Sequence, residues 1–456
     1  MTYQTPIQVK RSGNIWIDGL TDGYRWGTTT DRPAVGYTFV SNTDDRPGGE
    51  FGGYRSLGWS QDERQLLLDG MDHVESVSGL RFDNRGDDND HQVEIWFYTV
   101  DRQDARGSFG FAYTPGSDFN EGLVAINRSM YTTSRGVSKN PISSGSFYGI
   151  TFLHELSHAI GLKHPHETGL FRQPRFPGLN RRSNEYRDKG TYNQNAHPFT
   201  QLSYVDKGAQ NGYVPRVKEG YGFLMSLGAL DIAALQWLYG INADFAIESN
   251  VYRLPTANQE GTGWKAIWDA GGKDRIDGSH AKAPVTIDLR NATLDQSENA
   301  GGYISSVEGV FGGFTIAHDW NGKTLDVPAG LCIIEHATGG ASDDRLIGNK
   351  ASNRLRGRQG DDVLYGGEGG DDVLIGGRGR DQFWIDENPE TFATIRDFQV
   401  HKDQLVFSNS KIDLSWENIG RDLLVRIEEL PVARLLGVGS LSWERDITFN
   451  DFDGVL

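Results

Sequence analysis

The chain has 456 residues, which is too long for one ordinary hydrophobic core, so we expect two domains. Its formal net charge of −17 argues against nucleic acids and anionic membranes as partners, and it fits a protein that binds divalent cations. The single cysteine, Cys332, excludes an internal disulfide, so stability must come from packing or from metals. Residues 1–30 contain no apolar signal-peptide core, and no apolar run is long enough to span a membrane, so the composition alone favours the cytoplasm.

The first half of the chain alternates short apolar segments with amphipathic helices. Residues 62–78 place apolar side chains on one helical face and acids in the first turn, which predicts a helix packed on a core. Residues 93–97, 109–113 and 123–126 alternate or run apolar in the manner of strands. Residues 227–239 predict a second amphipathic helix, which ends before a glycine.

The most informative stretch between these elements reads TFLHELSHAIGLKHP. On a helix, residues four apart lie on one face, so His154 and His158 present two imidazoles to the same point. Gly161 can take the positive φ that ends a helix and bring His164 to that point as a third ligand. Three nitrogen ligands with one position left for water are typical of a catalytic zinc site. Glu155 follows the first ligand and is placed to act on the metal's water rather than to bind the metal.

This spacing is specific. Multiplying the chain's own His, Glu and Gly frequencies gives about 10⁻⁴ accidental matches to the five-residue pattern. The alternative interpretation is a helix with surface histidines and a glycine stop. The neighbouring His166 and His197 are out of phase with the motif, and we interpret them as loop histidines.

The glycines are concentrated in the second half, where the chain repeats every nine residues from Gly339 onward. The pattern is GGxGxDxUx, interrupted by one extra residue, Gly366, and the apolar U positions are Leu346, Leu355, Leu364, Leu374 and Phe383. Six residues would form a turn that faces a cation, and three would form a short strand whose apolar residue points inward. A flexible Gly/Asp linker would need no apolar residue in fixed phase. Stacked turns predict a parallel β-roll with calcium between successive loops.

The repeats differ in the side chain that would face calcium. The carboxylates that we assign are Asp344, Asp362, Asp372 and Asp381, whereas Asn353 offers a neutral oxygen and predicts a weaker site. Acidic repeats repel one another where calcium is scarce and would fold where it is abundant.

The motif HExxHxxGxxH followed by proline, together with the repeats, resembles the serralysin branch of the metzincins (peptidase family M10B), which are secreted RTX zinc metalloproteases. The resemblance implies an α+β metzincin-like catalytic domain at 21–242, after a propeptide or N-terminal extension at 1–20. It implies an all-β domain at 243–456 with a parallel β-roll, a β-sandwich and a C-terminal secretion region. The activity implied is zinc endopeptidase cleavage of protein or peptide substrates.

The resemblance also assigns roles around the zinc. Tyr204 matches the tyrosine that is a further zinc ligand at rest and swings to stabilise the tetrahedral intermediate, although it could be an ordinary half-buried tyrosine. Leu202 stands where the family has the methionine of its Met-turn, and this nearly volume-conserving change should cost under about 1.5 kcal/mol. Residues 109–113 resemble the edge strand above the cleft, which would bind an extended peptide by strand addition, or they are simply another strand.

Calcium is implied at further positions. Glu335 lies just ahead of the repeats, and an earlier site matches the family through Asp269, Gly271, Gly272 and Asp274. Its partner segment, residues 246–250, keeps the family's spacing but not its residue types. The remaining positions assigned by resemblance are Gly340, Ser342, Asn349, Ala351, Asn353, Gly357, Gln359, Gly360, Gly367, Gly369, Gly370, Gly376, Arg378 and Asp397.

The resemblance implies secretion to the extracellular space by type I machinery, which reads a C-terminal signal and needs no N-terminal signal peptide. Residues 453–456 only partly match that signal. A proteinaceous inhibitor and a monomeric state are also expected. The rival hypothesis is a non-catalytic calcium-binding RTX surface or adhesion protein with a degenerate protease domain. Leu202 and the long polar loop at 167–198 keep this alternative open.

Overall fold

In the computed structural model of the chain, the described residues are 4–27, 34–41, 54–88, 93–117, 120–133, 138–205, 219–318, 331–388, 391–442 and 445–450. The secretion signal expected at 453–456 lies outside them. The helices in these ranges are α1 (Ile15–Leu20), α2 (Gln61–Val77), α3 (Phe147–Ala159) and α4 (Ala229–Tyr239). The described part is mostly β-structure with few helices.

The strands of the first half are β1 (Pro6–Gln8), β2 (Tyr24–Trp26), β3 (Ala34–Phe39), β4 (Arg81–Asn84), β5 (Ile95–Val100), β6 (Gly110–Ala112) and β7 (Leu123–Asn127). Among the described residues, five of them form a sheet in the order β4-β3-β5-β7-β6. All its neighbours run parallel except β6, which pairs antiparallel with β7. The predicted edge position of residues 109–113 is therefore confirmed for β6.

Helix α2 confirms the amphipathic helix expected at 62–78. Ser60 and Glu63 form a capping box at its start, in which the Glu63 carboxylate accepts from the Ser60 N–H at 2.7 Å. Leu67, Met71 and Val74 lie on its buried face. Helices α3 and α4 pack against this face in the same hydrophobic core. The sheet and the other helices therefore fix the position of α3.

The N-terminal segment is part of this core. In α1, the side chains of Trp16, Ile17 and Leu20 have no exposed surface, and β1 pairs antiparallel with β2. The propeptide expected at 1–20 remains a prediction. Removing that segment would take three fully buried apolar side chains out of the core, at a cost of about 1.5–3 kcal/mol for each.

The strands of the second half are β8 (Val251–Arg253), β9 (Trp264–Ile267), β10 (Arg275–Asp277), β11 (Val285–Asp288), β12 (Ser305–Val307), β13 (Gly313–Ile316), β14 (His336–Thr338), β15 (Arg345–Ile347), β16 (Arg354–Gln359), β17 (Val363–Tyr365), β18 (Asp371–Arg378), β19 (Gln382–Trp384), β20 (Phe392–Ile395), β21 (Gln404–Phe407), β22 (Leu414–Ile419), β23 (Asp422–Ile427), β24 (Leu430–Leu435) and β25 (Ile447–Phe449). Within the described residues they form two nine-stranded sheets, ordered β22-β23-β24-β20-β18-β16-β14-β10-β8 and β25-β21-β19-β17-β15-β11-β12-β13-β9.

Successive repeats alternate between the two sheets, as a β-roll requires. Arg345 pairs with Val363, 18 residues later, whereas Val363 pairs with Gln382, 19 residues later. The extra residue Gly366 lies between the two registers and accounts for the longer step. The predicted parallel stacking of the repeats is therefore confirmed, and strands β20–β25 continue the same two sheets.

The apolar residues of the repeats point inward and are fully buried, as predicted from their phase. Leu346, Leu355, Leu364, Leu374 and Phe383 all have no exposed surface. We expect Leu364→Ala to lower the free energy of unfolding by about 2–5 kcal/mol, because it removes buried methyl groups and leaves a cavity. Urea unfolding in excess calcium would measure this loss. Ile419→Ala, at a side chain that is 44% exposed, should change stability by less than about 0.5 kcal/mol, and equal losses in the two variants would contradict the prediction.

Segments from the two halves meet at a short stretch of the second half, residues 294–301. Asn14 donates its side-chain N–H to the Leu294 carbonyl at 2.8 Å. Gln194 donates to the Glu298 carbonyl at 2.6 Å and accepts from the Gly301 N–H at 2.7 Å. The polar loop at 167–198 is thus tied to the second half.

Candidate metal centre

Helix α3 and the turn after it bring the three motif histidines together. The Nε2 atoms are 3.0 Å apart for His154 and His164, 3.2 Å for His154 and His158, and 3.1 Å for His158 and His164. Gly161 has a φ of 104°, so the chain turns at that residue, and a Cβ there would lie 2.5 Å from the Tyr24 carbonyl oxygen. The structure therefore confirms the prediction that the three imidazoles lie close together.

The hydrogen bonds of the rings fix which nitrogen carries the proton. Nδ1 of His154 lies 3.0 Å from the Gln201 carbonyl, and Nδ1 of His158 lies 2.9 Å from the Leu162 carbonyl. Because a carbonyl only accepts, both Nδ1 atoms donate and both Nε2 atoms keep a free lone pair. Nδ1 of His164 lies 3.0 Å from a Glu167 carboxylate oxygen, an ion-pair distance without the alignment of a hydrogen bond.

Three imidazole nitrogens that face one another at this distance could hold a metal ion. Burial lowers the pKa of His154 to about 4, and it holds the pKa values of His158 and His164 well below their ordinary range. The rings are therefore neutral near pH 7, which is the form that binds metals. Three neutral imidazoles suit zinc, so the residues present fit the ion that the motif implies.

Tyr204 lies next to this set. Its hydroxyl lies 2.7 Å from Nε2 of His164, and burial raises its pKa, so the hydroxyl stays protonated. Asp231 of α4 fixes the turn that carries it, because its carboxylate accepts from the Thr200 hydroxyl at 2.6 Å and from the Gln201 N–H at 2.7 Å. The motif alone did not reveal Asp231 as a support of this turn.

Leu202 lies in the same turn and has no exposed surface. Its side chain belongs to the hydrophobic core that also contains α3 and α4. An apolar side chain therefore fills the space at this position, as expected for a replacement of similar volume.

Glu155 lies beside the histidines and is buried, with 5% of its surface exposed. Burial raises the pKa of its carboxyl group to about 8. The carboxylate lies against strand β6, where a Cβ built on Gly110 would be 2.7 Å from Oε1 of Glu155. The absence of a side chain at position 110 therefore leaves the space that Glu155 occupies.

We expect Gly110→Ala to displace the Glu155 carboxylate and to lower kcat for peptide hydrolysis by about 10–100-fold, because small misplacements of a catalytic group are costly. Steady-state kinetics would measure the change, and the melting temperature would show whether the fold persists. Gly439→Ala is the matched control, because a Cβ there would meet no atom within 4 Å. Unchanged kcat in Gly110→Ala would contradict the proposed contact.

A cleft of 340 Å³ opens beside Glu155. Its apolar lining comes from Phe109, Phe147, Ile150 and Tyr186, and strand β6 lies along it through Gly110. In the sheet formed by the described residues, β6 is the edge strand, so an edge strand lies beside this cleft.

The two histidines that sequence reasoning left in loops take part in the surroundings of the site. His166 stacks on His164, with ring centroids 5.0 Å apart, and pairs with Glu185 at 3.2 Å. His197 is buried and lines the cleft. Their position depends on the folded 167–198 loop, so no local pattern could have placed them.

The repeat aspartates form a second set of candidate ligands. Oδ1 of Asp362 accepts from the Asp344 N–H at 2.9 Å, and Oδ1 of Asp381 accepts from the Asp362 N–H at 3.1 Å. Oδ2 of Asp362 and Oδ2 of Asp381 are buried and have no hydrogen-bond partner among the described residues. Buried carboxylate oxygens without partners are costly, and a calcium ion would satisfy them. Asp362 and Asp381 therefore fit the ion.

In two of the repeats the first glycine has a role that the pattern did not explain. A Cβ on Gly357 would lie 2.1 Å from Oδ2 of Asp362, and one on Gly376 would lie 2.1 Å from Oδ2 of Asp381. The glycine thus makes room for the carboxylate of its own repeat. Gly357, Gln359, Gly376 and Arg378 lie at the ends of β16 and β18 rather than in the turns, because these two strands pair beyond the three residues expected.

Hydrogen bonds join some of the other positions for which the resemblance implies calcium. Oε2 of Glu335 accepts from the Asp274 N–H at 2.8 Å, and Oδ1 of Asp274 accepts from the Asn250 N–H at 2.7 Å. Burial, followed by repulsion from Asp269 and Glu335, raises the pKa of Asp274 to about 7. Asp397 accepts from the Gly376 N–H at 3.0 Å. The other assigned positions in the described turns between β14 and β18 are Gly340, Ser342, Asn349, Ala351, Asn353, Gly360, Gly367, Gly369 and Gly370.

Comparison with known proteins gives matches in both halves. The RTX calcium-binding nonapeptide repeat family matches residues 338–371 and 367–384. Serralysin of Photorhabdus luminescens is 28% identical over 350 residues, which cover 73% of this chain and 62% of the relative. Metallopeptidase AprA of Pseudomonas marginalis is 28% identical over 76% of this chain and 69% of the relative. Serralysin C of Dickeya chrysanthemi is 30% identical over 53% of this chain and 43% of the relative.

The chain spans 62% to 64% of the length of the three Photorhabdus serralysins that it matches. Within the part of the chain that the structure describes, none of the helices has both the length and the apolar character needed to cross a bilayer.

Proposed function

This chain is related to the serralysins and carries RTX calcium-binding repeats, and we propose that it is a secreted zinc endopeptidase whose repeats bind calcium. The observation that carries the proposal is the convergence of three neutral imidazoles next to a buried glutamate. In this proposal residues 21–242 form a metzincin-like catalytic domain. Residues 243–456 form the calcium-binding β-roll domain.

His154, His158 and His164 would hold the zinc ion through Nε2. When bound, zinc would act as a Lewis acid that acidifies water and polarises the scissile carbonyl. Glu155 would take a proton from the attacking water and deliver it to the leaving amine.

Two further elements would serve the substrate. The Tyr204 hydroxyl would turn from His164 to donate a hydrogen bond to the oxygen on which charge develops. The edge of β6 would hold the substrate backbone by strand addition, beside the apolar walls of the cleft. Leu202 would support the turn below the site at a cost of under about 1.5 kcal/mol relative to methionine.

Calcium would be bound between successive turns of the roll. In this proposal the protein leaves the cell through type I machinery, and its acidic repeats fold once they meet extracellular calcium. Protein or peptide substrates and a proteinaceous inhibitor remain the proposed partners, and the protein acts as a monomer. The propeptide at 1–20 stays part of the proposal.

The test is hydrolysis of casein by the full chain refolded with Ca²⁺ and Zn²⁺. We expect activity that o-phenanthroline removes and that added Zn²⁺ restores, because the chelator takes zinc from the three imidazoles. The same samples are assayed for bound zinc. A protein that binds one equivalent of zinc yet does not cleave casein would contradict the proposal and favour the non-catalytic calcium-binding protein.

A further inference from the structure

The ring of Tyr204 is held by aromatic neighbours on more than one side. It lies nearly parallel to His154, with centroids 5.8 Å apart and planes 20° apart. It also lies nearly parallel to Tyr186, with centroids 5.5 Å apart and planes 16° apart. His154 belongs to the metal motif, whereas Tyr186 comes from the loop at 167–198, so this contact reaches the site from outside the motif.

Tyr186 is 63% exposed, yet the loop around it is well tied down. The Tyr186 N–H donates to the Asn184 side-chain oxygen at 3.0 Å, and the Asn184 N–H donates to the Asp188 carboxylate at 2.6 Å. The adjacent Glu185 pairs with His166 at 3.2 Å. These contacts keep the ring of Tyr186 over Tyr204 without burying it.

The same loop is anchored on both sides of Tyr186. Arg175 donates its Nε–H to the His166 carbonyl at 2.7 Å, and Gln194 bonds to the backbone of Glu298 and Gly301. The loop therefore connects the surroundings of the metal motif with the second half of the chain. Tyr186 lies between these anchors and lines the cleft.

We propose that Tyr186 is a positioning residue, which holds the Tyr204 ring in the place where its hydroxyl meets the metal site. This inference rests on the proposed function, because it concerns how the tyrosine of that site is kept in its resting position. Among the described residues, the ring contact of Tyr186 is with Tyr204 and not with the three motif imidazoles. It acts through Tyr204.

The stacking contact sets the size of the expected effect. An aromatic pair favours its stacked state by roughly two- to tenfold in population. Loss of the Tyr186 ring should therefore reduce the ratio of Tyr204 at the metal to Tyr204 turned away by roughly that factor. A phenylalanine at position 186 keeps the ring and should preserve the ratio.

The experiment uses the full chain, refolded with Ca²⁺ and loaded with one equivalent of Cu²⁺ in place of zinc. A phenolate bound to Cu²⁺ gives a charge-transfer band in the visible range, so the band intensity reports the fraction of Tyr204 at the metal. Tyr204→Phe sets the baseline. From the fraction bound we obtain the ratio of Tyr204 at the metal to Tyr204 turned away, which we expect Tyr186→Ala to lower roughly two- to tenfold and Tyr186→Phe to retain. Tyr192→Ala, at another exposed tyrosine of the same loop, should leave the band unchanged.

Two results would overturn the inference. An unchanged band in Tyr186→Ala, with copper still bound, would show that Tyr186 does not position Tyr204. Absence of the band from the unmodified protein would show that Tyr204 does not meet the metal. Neither result bears on whether the zinc-loaded protein cleaves casein, so the proposed function is decided separately by the hydrolysis assay.

Discussion

Glu155→Gln is expected to lower kcat for casein hydrolysis by at least about a hundredfold while the protein stays folded and keeps its zinc, because positioned acid–base groups contribute roughly 10²–10⁴-fold. Glutamine has nearly the same shape but cannot accept a proton. The Nδ1 atoms of His154 and His158 bond to the backbone carbonyls of Gln201 and Leu162 rather than to residue 155, so the replacement should leave both rings in place. The loss should therefore be specific to proton transfer.

Steady-state kinetics and the zinc content of the same sample measure this prediction together. Glu260→Gln, at an exposed glutamate of the second half, is the matched control and should keep full activity. The variant Glu155→Gln should also melt at a temperature close to that of the unmodified protein. Retention of more than about a tenth of the activity would rule out Glu155 as the general base.

Calcium-free protein is expected to become less stable as the pH rises from 5.5 to 8.5, and calcium should remove this loss. Burial raises the pKa values of the repeat carboxyls to about 6 for Asp344 and Asp381, about 7 for Asp372 and about 8 for Asp362. A carboxyl whose pKa in the folded state exceeds its unfolded value of about 3.9 stabilises the fold at acid pH. That contribution is lost as the pH rises through 6 to 8, where the folded protein must hold buried charges without a cation.

Asp362→Asn isolates this effect from other titrating groups. At pH 8.5 in EGTA we expect the variant to melt about 5 °C or more above the unmodified protein, because asparagine carries no charge. In excess calcium it should melt below the unmodified protein, since a ligand carboxylate is lost. Differential scanning calorimetry measures both temperatures, with Asp413→Asn at an exposed position as the control. A variant that melts lower in EGTA as well would contradict the account.

Local geometry explains why the convergence of the three motif histidines could be predicted from the sequence. His154 and His158 lie one helical turn apart, and Gly161 ends the turn that brings His164 back, so the convergence depends on a few neighbouring residues. The supports of the site could not be predicted in this way. Tyr186 and Asp231 reach it from a distant loop and a distant helix, and only the folded chain brings them close.

In the repeats, too, the features set by the local pattern could be predicted, whereas those set by the folded chain could not. Their period predicts stacked strands with inward apolar residues, because a nine-residue unit fixes which side chains face the core. The pattern did not predict that β16 and β18 would pair past the expected three residues, or that Gly357 makes room for the carboxylate of Asp362. The pairing depends on contacts between units 19 residues apart, and the place of the Asp362 carboxylate depends on the path of the folded chain within its own repeat. The possible propeptide was placed by resemblance alone, and α1 shows how much core that segment contains.

The stretch at 294–301 forms hydrogen bonds with two segments of the first half. One is the start of the first helix, through Asn14, and the other is the loop beside the cleft, through Gln194. With the proposed protease activity, each molecule would be exposed to cleavage by other copies of the chain. In this chain a cut that released the second half would take away the backbone to which the cleft loop is fastened. A nicked molecule would thereby lose part of its own support at the same time, so that self-digestion in a concentrated sample would tend to limit itself.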